Sequence, residues 1–166
     1  MIIYGPTGLG KTALLKKLAA ILEVPLAIVD ASSLTAAGYK GKNTLTIIKD
    51  LYLQAEGDLE KAANGIIFLD EFDKLAAGTY GRDESVNAFC TEVQEELLKV
   101  FEGVEVTFEG SDEEKHTLDS SNILFICGGA FAGLDKVIEQ RTEGGGIGFG
   151  ASVRSKKGRS ISDLFQ

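Results

Sequence analysis

The amino-acid sequence predicts an α/β fold, a three-layer α/β/α arrangement in which a mostly parallel sheet carries helices on both faces. Segments with strand character alternate along the chain with segments whose apolar residues recur at helical spacing. The strand segments are mostly continuous apolar runs, which is typical of strands buried in a parallel sheet. The length of 166 residues suits a single domain.

The first part of the chain predicts two strands with a helix between them. Residues Ile2–Tyr4 are a short apolar segment before a glycine-rich turn, and they predict a short buried strand. Residues Lys11–Leu22 predict a helix because their apolar side chains recur at helical spacing. The run Pro25–Asp30 predicts a second strand that ends in an acidic residue. The apolar positions of the helix are Leu14, Leu15, Leu18, Ala19 and Leu22.

The central part predicts two further helices around a third strand. Residues Asn43–Ala55 predict a helix with Asn43 as its N-cap. Residues Gly65–Asp70 predict a third strand, apolar up to its final acid. Residues Ser85–Phe101 predict a long helix, because apolar residues recur on one side and Gly103 follows the end. These apolar residues are Val86, Phe89, Val93, Leu97 and Phe101.

The remainder predicts a hairpin, a fourth strand and a polar tail. Residues 104–108 alternate in polarity, turn through an acidic segment and return at 115–118, which predicts a small β-hairpin insertion. Residues Asn122–Cys127 predict a fourth apolar strand. Past about Gly144 the composition shifts to glycine, serine and lysine, so we expect order to fall away there. We therefore divide the chain into a domain over 1–150 and a polar, flexible tail over 151–166.

Composition and charge limit the functions open to the chain. The net charge of −8, with no basic stripe interleaved with aromatic residues, argues against nucleic acid as a partner. The short basic cluster at 154–159 is interpreted as a solvated tail, with a phosphate-binding arm as the alternative. No apolar run approaches the length of a membrane span and no signal peptide opens the chain, so we expect no membrane partner.

Cysteine and histidine usage indicates a reducing compartment. Cys90 and Cys127 have no paired spacing and are interpreted as buried, reduced thiols, with a disulfide or a metal site as the alternative. With His116 as the single histidine, a zinc site is disfavoured. We expect a cytoplasmic protein. Because the chain opens directly in an apolar strand, we also expect it to be a piece of a longer protein.

A glycine-rich stretch between the first strand and the first helix predicts a phosphate site. The sequence GPTGLGKT (Gly5–Thr12) matches the pattern G-x-x-x-x-G-K-T, and a plain turn before a helix is the alternative. Its backbone amides and the helix N-terminus would surround the phosphates of ATP. Lys11 would reach the β- and γ-phosphates, and the Thr12 hydroxyl would bind Mg²⁺. The candidate nucleotide contacts are Gly5, Pro6, Thr7, Gly8, Leu9, Gly10, Lys11, Thr12 and Ala13.

Two adjacent acids at the end of the third strand supply the other half of such a site. Asp70 and Glu71 follow the apolar run where parallel sheets bind ligands, and a capped strand end is the alternative. Asp70 would hold Mg²⁺ through water, and Glu71 would polarise the attacking water. A kinase of small metabolites needs only the first motif, so Glu71 favours hydrolysis. Lys11 and Glu71 are the candidate catalytic residues.

Read together with several other stretches, these residues resemble the ClpX family of AAA+ unfoldases over essentially the whole chain. The stretches ILFICGGAFAGLDKVI (123–138) and GIGFGA (146–151) are specific to this family, whereas the ATP motifs are shared more widely. The resemblance implies the large ATPase subdomain of a P-loop NTPase that works as a homohexamer on unfolded or tagged proteins. It also implies that the arginine finger, the last strand of the sheet and the small helical subdomain are missing here.

The resemblance assigns a role to GYKG (Gly38–Gly41), which alone would be a surface tyrosine in a glycine turn. It is similar to the loop that lines the pore of the ring, with Tyr39 gripping the substrate polypeptide. The family usually has an aliphatic residue where Lys40 stands, so a charge here would weaken the hydrophobic grip or shift substrate preference. Arg82 and Asp83 resemble part of a second pore loop, with an exposed ion pair or helix cap as the alternative.

The same resemblance assigns the glycine-rich stretch near the C-terminal end to partner docking. Ile147, Gly148 and Phe149 are similar to the loop that docks into hydrophobic clefts of the ClpP peptidase ring, with Ile147 and Phe149 as anchors. The alternative is a loop folded back on its own domain.

Three further features of the sequence bear on function. The segment GSDEEKH (110–116) keeps only Lys115 and His116 of a basic substrate loop, which weakens the expectation that acidic-ended degradation tags are recognised. After the fourth strand, Gly128 and Gly129 stand where many AAA+ proteins have a polar sensor, as in the ClpX family itself. Without an arginine finger, we expect a weak ATPase and a poor hexamer former. A nucleic-acid-acting AAA+ ATPase and a nucleotide-binding domain that does not hydrolyse ATP stay as alternatives.

Overall fold

The computed structural model describes residues 1–34, 43–76, 84–110, 114–134 and 138. The chain divides into two units, Met1–Ala130 and Phe131–Gln166. The second unit is described only at 131–134 and 138. The predicted division at residue 150 therefore lies outside the described residues.

Strands and helices alternate through the first unit, as the sequence predicts. The strands are β1 (Ile2–Tyr4), β2 (Leu26–Asp30), β3 (Ile66–Asp70), β4 (Glu105–Glu109), β5 (Lys115–Asp119) and β6 (Leu124–Gly129). The helices are α1 (Lys11–Leu22), α2 (Thr44–Gln54), α3 (Leu59–Ala63), α4 (Asp73–Ala76) and α5 (Glu84–Glu102).

Four strands form one parallel sheet in the order β1-β6-β3-β2. In the register, Ile2 pairs with Cys127, and Ile66 lies between Leu124 and Leu26. Because all four strands run the same way, their carboxyl ends meet at one edge of the sheet. The loops after β1 and β3 therefore emerge on either side of the end of β6.

Helices cover both faces of the sheet, which confirms the predicted three-layer α/β fold. On one face, Leu15 and Ala19 of α1 pack against a buried cluster from β3 and β6. On the other face, α2 and α5 contribute to a larger cluster with β2, β3 and the hairpin. The fully buried residues of this cluster include Ile48, Leu51, Ile67, Leu69 and Val93.

The predicted hairpin is a separate two-stranded antiparallel sheet of β4 and β5. Val106 and Leu118 turn inward and join the larger cluster. The connection from β5 to β6 is fixed to the end of α5 by Ser120, which is 1% exposed. Its hydroxyl accepts from the Val104 N–H at 2.9 Å and lies 2.9 Å from the Val100 carbonyl, to which it donates.

The first strand differs from its prediction as a buried strand. Ile2 is 64% exposed and Tyr4 41% exposed, and only Ile3 packs against the α1 side of the core. The reason is position, because β1 is an edge strand that pairs with β6 alone among the described strands. In α1, likewise, Leu14 and Leu22 fit the helical spacing but are exposed.

Other boundaries shift slightly and two short helices were not predicted. The fourth predicted strand, Asn122–Cys127, is displaced to Leu124–Gly129 because residues 120–122 form a 3₁₀ turn. Helices α3 and α4 have only five and four residues. An apolar period cannot be recognised over so few positions.

Both cysteines are free thiols, but only Cys127 is buried as predicted. Cys90 is half-buried, so the prediction of two buried thiols is wrong for that residue. Burial raises the pKa of the Cys127 thiol, which keeps it protonated and unreactive. Among the helices in the described part of the chain, none has the length and apolar character needed to cross a bilayer.

Candidate functional site

The loop between β1 and α1 depends on glycine at three positions. Gly5, Gly8 and Gly10 have φ values of 147°, 89° and 80°. A Cβ at Gly8 or Gly10 would meet no atom within 4 Å, so their backbone conformation, and not lack of space, favours glycine there. The loop turns sharply enough for α1 to begin at Lys11.

The N-terminus of α1 offers backbone donors and a positive potential. Gly10 is its N-cap and brings no side chain to cap the first turn, which also contains no acidic residue. The first amides of a helix have no intrahelical partner, and the helix dipole favours an anion beside them. This local structure suits phosphate, as the sequence motif predicts.

Lys11 extends over the loop that precedes it. Its Nζ donates to the Gly5 carbonyl at 2.7 Å and to the Pro6 carbonyl at 3.1 Å. The ammonium group is therefore hydrogen-bonded to uncharged carbonyl groups of the loop. A phosphate oxygen is a stronger, charged acceptor and could take these hydrogen bonds over.

The two halves of the predicted site meet at Thr12 and Asp70. The Thr12 hydroxyl donates to Asp70 Oδ2 at 3.2 Å, across 58 residues of sequence. Thr12 lies in the first turn of α1, and Asp70 ends β3. The structure thus brings the phosphate loop and the acidic strand end into direct contact.

Glu71 is oriented differently from its neighbour. Its φ of 54° is in the left-handed region, which is unusual for glutamate, and its N–H donates to Asp70 Oδ1 at 2.9 Å. Its carboxylate accepts a hydrogen bond from the Lys74 ammonium in α4. Within the described part of the chain, this carboxylate makes no hydrogen bond or ion pair with the phosphate loop.

Comparison with known proteins decides the family of the chain. The family model described as AAA domain (Cdc48 subfamily) matches residues 1–164. The chain belongs to this AAA domain family. It is also 41% identical over 171 aligned residues to the ATP-dependent Clp protease ATP-binding subunit ClpX of Treponema denticola. That alignment covers 99% of this chain and 41% of the relative, so the chain spans about two fifths of its length.

The similarity confirms the resemblance to the ClpX family that the sequence motifs indicate. Several predicted functional residues of this AAA domain lie outside the described residues. They are Tyr39, Lys40, Arg82, Asp83, Ile147, Gly148 and Phe149. Their predicted roles stay predictions.

Sequence reasoning overlooked two charged residues of this AAA domain. The hydrogen bond to Glu71 raises the pKa of Lys74, with smaller contributions from the charges of Asp30 and Asp73. Asp30 ends β2 in register with Asp70, and its carboxylate accepts from the Ser32 amide and hydroxyl. The spacing of three residues between Glu71 and Lys74 is the signal that could have revealed their pairing.

The oxygen atoms of the Thr12 and Asp70 side chains are suitable ligands for the Mg²⁺ that the family implies. A hydroxyl and a carboxylate oxygen, 3.2 Å apart, are hard oxygen ligands of the kind Mg²⁺ prefers. Within the described ranges, no group of three or more His, Cys, Asp or Glu side chains is arranged to hold a metal. Protein sites for Mg²⁺ commonly supply only one or two side-chain ligands, and substrate phosphates and water complete the coordination.

We predict that Gly10→Ala lowers the stability of the chain by about 1–2 kcal/mol, because alanine at a left-handed position is strained. Urea denaturation measures the loss. Gly10→Asn is the matched control and should cost less, because asparagine tolerates this conformation. Equal stability of the alanine variant and the parent chain would contradict the loop geometry.

Proposed function

We propose that this AAA domain binds ATP with Mg²⁺ and hydrolyses it. The observation that carries the proposal is the hydrogen bond between Thr12 and Asp70, which unites the phosphate loop with the acidic strand end. A glycine turn of structural importance only would not need a carboxylate from β3 beside it. Membership of the AAA domain family supports the same conclusion.

The residues of the chain divide the chemistry among them. The backbone amides that follow Pro6, as far as Ala13, hold the phosphates, and Lys11 exchanges its loop carbonyls for phosphate oxygens. Bound Mg²⁺, held by Thr12 and through water by Asp70, would offset the negative charge of the phosphates. These interactions fix the orientation of the triphosphate at the carboxyl edge of the sheet.

Glu71 is the candidate residue for orienting the attacking water. Its carboxylate must first exchange Lys74 for that water. The Glu71 and Lys74 side chains are 42% and 57% exposed, so their ion pair is weak and can open. The alternative is a nucleotide-binding domain that does not hydrolyse ATP, in which Glu71 would stay paired with Lys74 when nucleotide is bound. The net charge of −8 argues against the other alternative, a nucleic-acid-acting AAA+ ATPase, because such a protein would need a basic surface.

We further propose that hydrolysis drives protein unfolding in a homohexamer of the complete protein. The support is the similarity to a relative whose name describes an ATP-binding subunit of the Clp protease. Tyr39, next to Lys40, would grip unfolded or tagged protein substrates in the pore. Ile147, Gly148 and Phe149 would dock the ring onto the ClpP peptidase. The free thiols of Cys90 and Cys127 agree with the cytoplasm as its location.

We predict that Lys11→Met and Glu71→Gln separate binding from hydrolysis. Losing a charged hydrogen bond to phosphate should lower the ATP affinity of Lys11→Met by about 10–100-fold. Glu71→Gln should still bind ATP, but single-turnover hydrolysis should fall by about 10²–10⁴-fold. Calorimetric titration with Mg²⁺·ATP and release of phosphate are the measurements.

Lys17→Met is the matched control, because Lys17 is an exposed lysine on the same helix. Its affinity and its rate should equal those of the parent chain. Failure of the parent chain to bind ATP would contradict the proposed function. Binding without any hydrolysis that depends on Glu71 would favour the domain that does not hydrolyse ATP.

We predict that Phe149→Ala weakens binding to an immobilised ClpP ring by at least about 2 kcal/mol, roughly 30-fold, as expected for a buried aromatic anchor. Surface plasmon resonance measures this affinity. Phe165→Ala removes the same side chain from the predicted tail and should leave the affinity unchanged. Equal losses in the two variants would argue against the docking role of Phe149.

A further inference from the structure

The end of β6 lies between the two halves of the candidate site. In the sheet, β6 separates β1, which leads into the phosphate loop, from β3, which ends in Asp70. The last two residues of β6 are Gly128 and Gly129, and both are buried. Because neither residue has a side chain larger than hydrogen, the pair can affect the site only through its backbone groups and through the room that it leaves for neighbouring side chains.

The backbone of this glycine pair contacts both halves of the site. The Gly129 carbonyl accepts from the Gly5 N–H at 3.2 Å, at the start of the phosphate loop. The Gly128 carbonyl accepts from the Phe72 N–H at 2.8 Å, directly after Asp70 and Glu71. Two successive carbonyls thus hold the two loops from opposite sides of one strand.

The absence of a side chain at Gly128 is required by its neighbours. A Cβ there would lie 2.5 Å from Cε2 and Cζ of Phe68, a separation that atoms do not tolerate, and 3.6 Å from Asp70 Oδ1. Phe68 is 0% exposed in the core beneath α1, so its ring has little room to move aside. An added methyl group would therefore displace β6 from β3, next to the carboxylate that bonds to Thr12.

We propose that Gly128 and Gly129 are positioning residues, which hold the phosphate loop and the acidic turn at the separation that Mg²⁺·ATP binding needs. This inference rests on the proposed function of the site. It assigns the role to two carbonyl groups and to the close approach of Phe68. Neither glycine touches the nucleotide in this proposal.

The test uses Gly128→Ala in the full chain, with Mg²⁺·ATP affinity measured by calorimetric titration and folding measured by thermal denaturation. By analogy with loss of a residue that orients metal ligands, affinity should fall by about 10–100-fold. Gly65→Ala is the matched control at the opposite end of β3. A Cβ at Gly65 would lie 2.9 Å from Leu51 Cδ1 and 3.0 Å from Pro25 Cγ. It should lower stability as well, but leave the affinity for Mg²⁺·ATP unchanged.

A compensating variant distinguishes positioning from general damage. Phe68→Leu removes the ring atoms that an alanine at 128 would strike, so the double variant Phe68→Leu/Gly128→Ala should regain the affinity of Phe68→Leu alone. This comparison also decides the question if Gly128→Ala by itself does not fold. Affinity in Gly128→Ala equal to that of the parent, or a double variant that folds but stays weaker than Phe68→Leu, would overturn the inference. Absence of ATP binding by the parent chain would instead overturn the proposed function, and this inference with it.

Discussion

The parallel pairing of β6 with β1 on one side and β3 on the other is the constraint on which the candidate site depends. Parallel strands can be neighbours without being consecutive in sequence, and here they bring Thr12 within hydrogen-bonding distance of Asp70. The buried residues of β3, from Ile66 to Leu69, fix the register through packing on both faces. A slip of one residue would turn Asp70 to the opposite face of the sheet, away from α1.

The two lysines at this edge of the sheet make hydrogen bonds that a bound nucleotide could replace. Lys11 bonds to neutral carbonyls of its own loop, and Lys74 pairs with the carboxylate of Glu71. A triphosphate is a stronger acceptor for Lys11 than a carbonyl group is. The pair of Lys74 and Glu71 is exposed to solvent, which weakens the attraction between the two charges, so the pair opens easily. This arrangement of side chains is therefore compatible with the proposed binding and hydrolysis of ATP.

The sequence predicted most of the fold because its signals are local. The apolar run before Asp70 and the N-cap Asn43, whose side chain accepts from the Thr46 amide, gave a correct strand and a correct helix. The exposure of Ile2 could not be predicted, because it depends on which strand lies beside β1 in space.

The candidate site shows the same difference between what local sequence signals predict and what depends on neighbours in space. Its residues follow from motifs, and the structure brings Thr12 and Asp70 together as the motifs imply. The approach of Phe68 to Gly128 is a tertiary contact that no motif records. The pairing of Glu71 with Lys74 is local, and only its spacing of three residues indicates it in the sequence. The positive φ of Glu71 is likewise a property of the turn and of its contacts, and not of the glutamate.

The most direct measurement is a double-mutant cycle on Mg²⁺·ATP affinity with Thr12→Val, Asp70→Asn and the combined variant, repeated without Mg²⁺. If the two side chains serve one metal–nucleotide site, each single change should remove most of the Mg²⁺-dependent affinity. The combined variant should then be little worse than either, with a coupling energy of at least about 0.5 kcal/mol. Losses that add independently, or an affinity that does not depend on Mg²⁺ in the parent chain, would contradict the account.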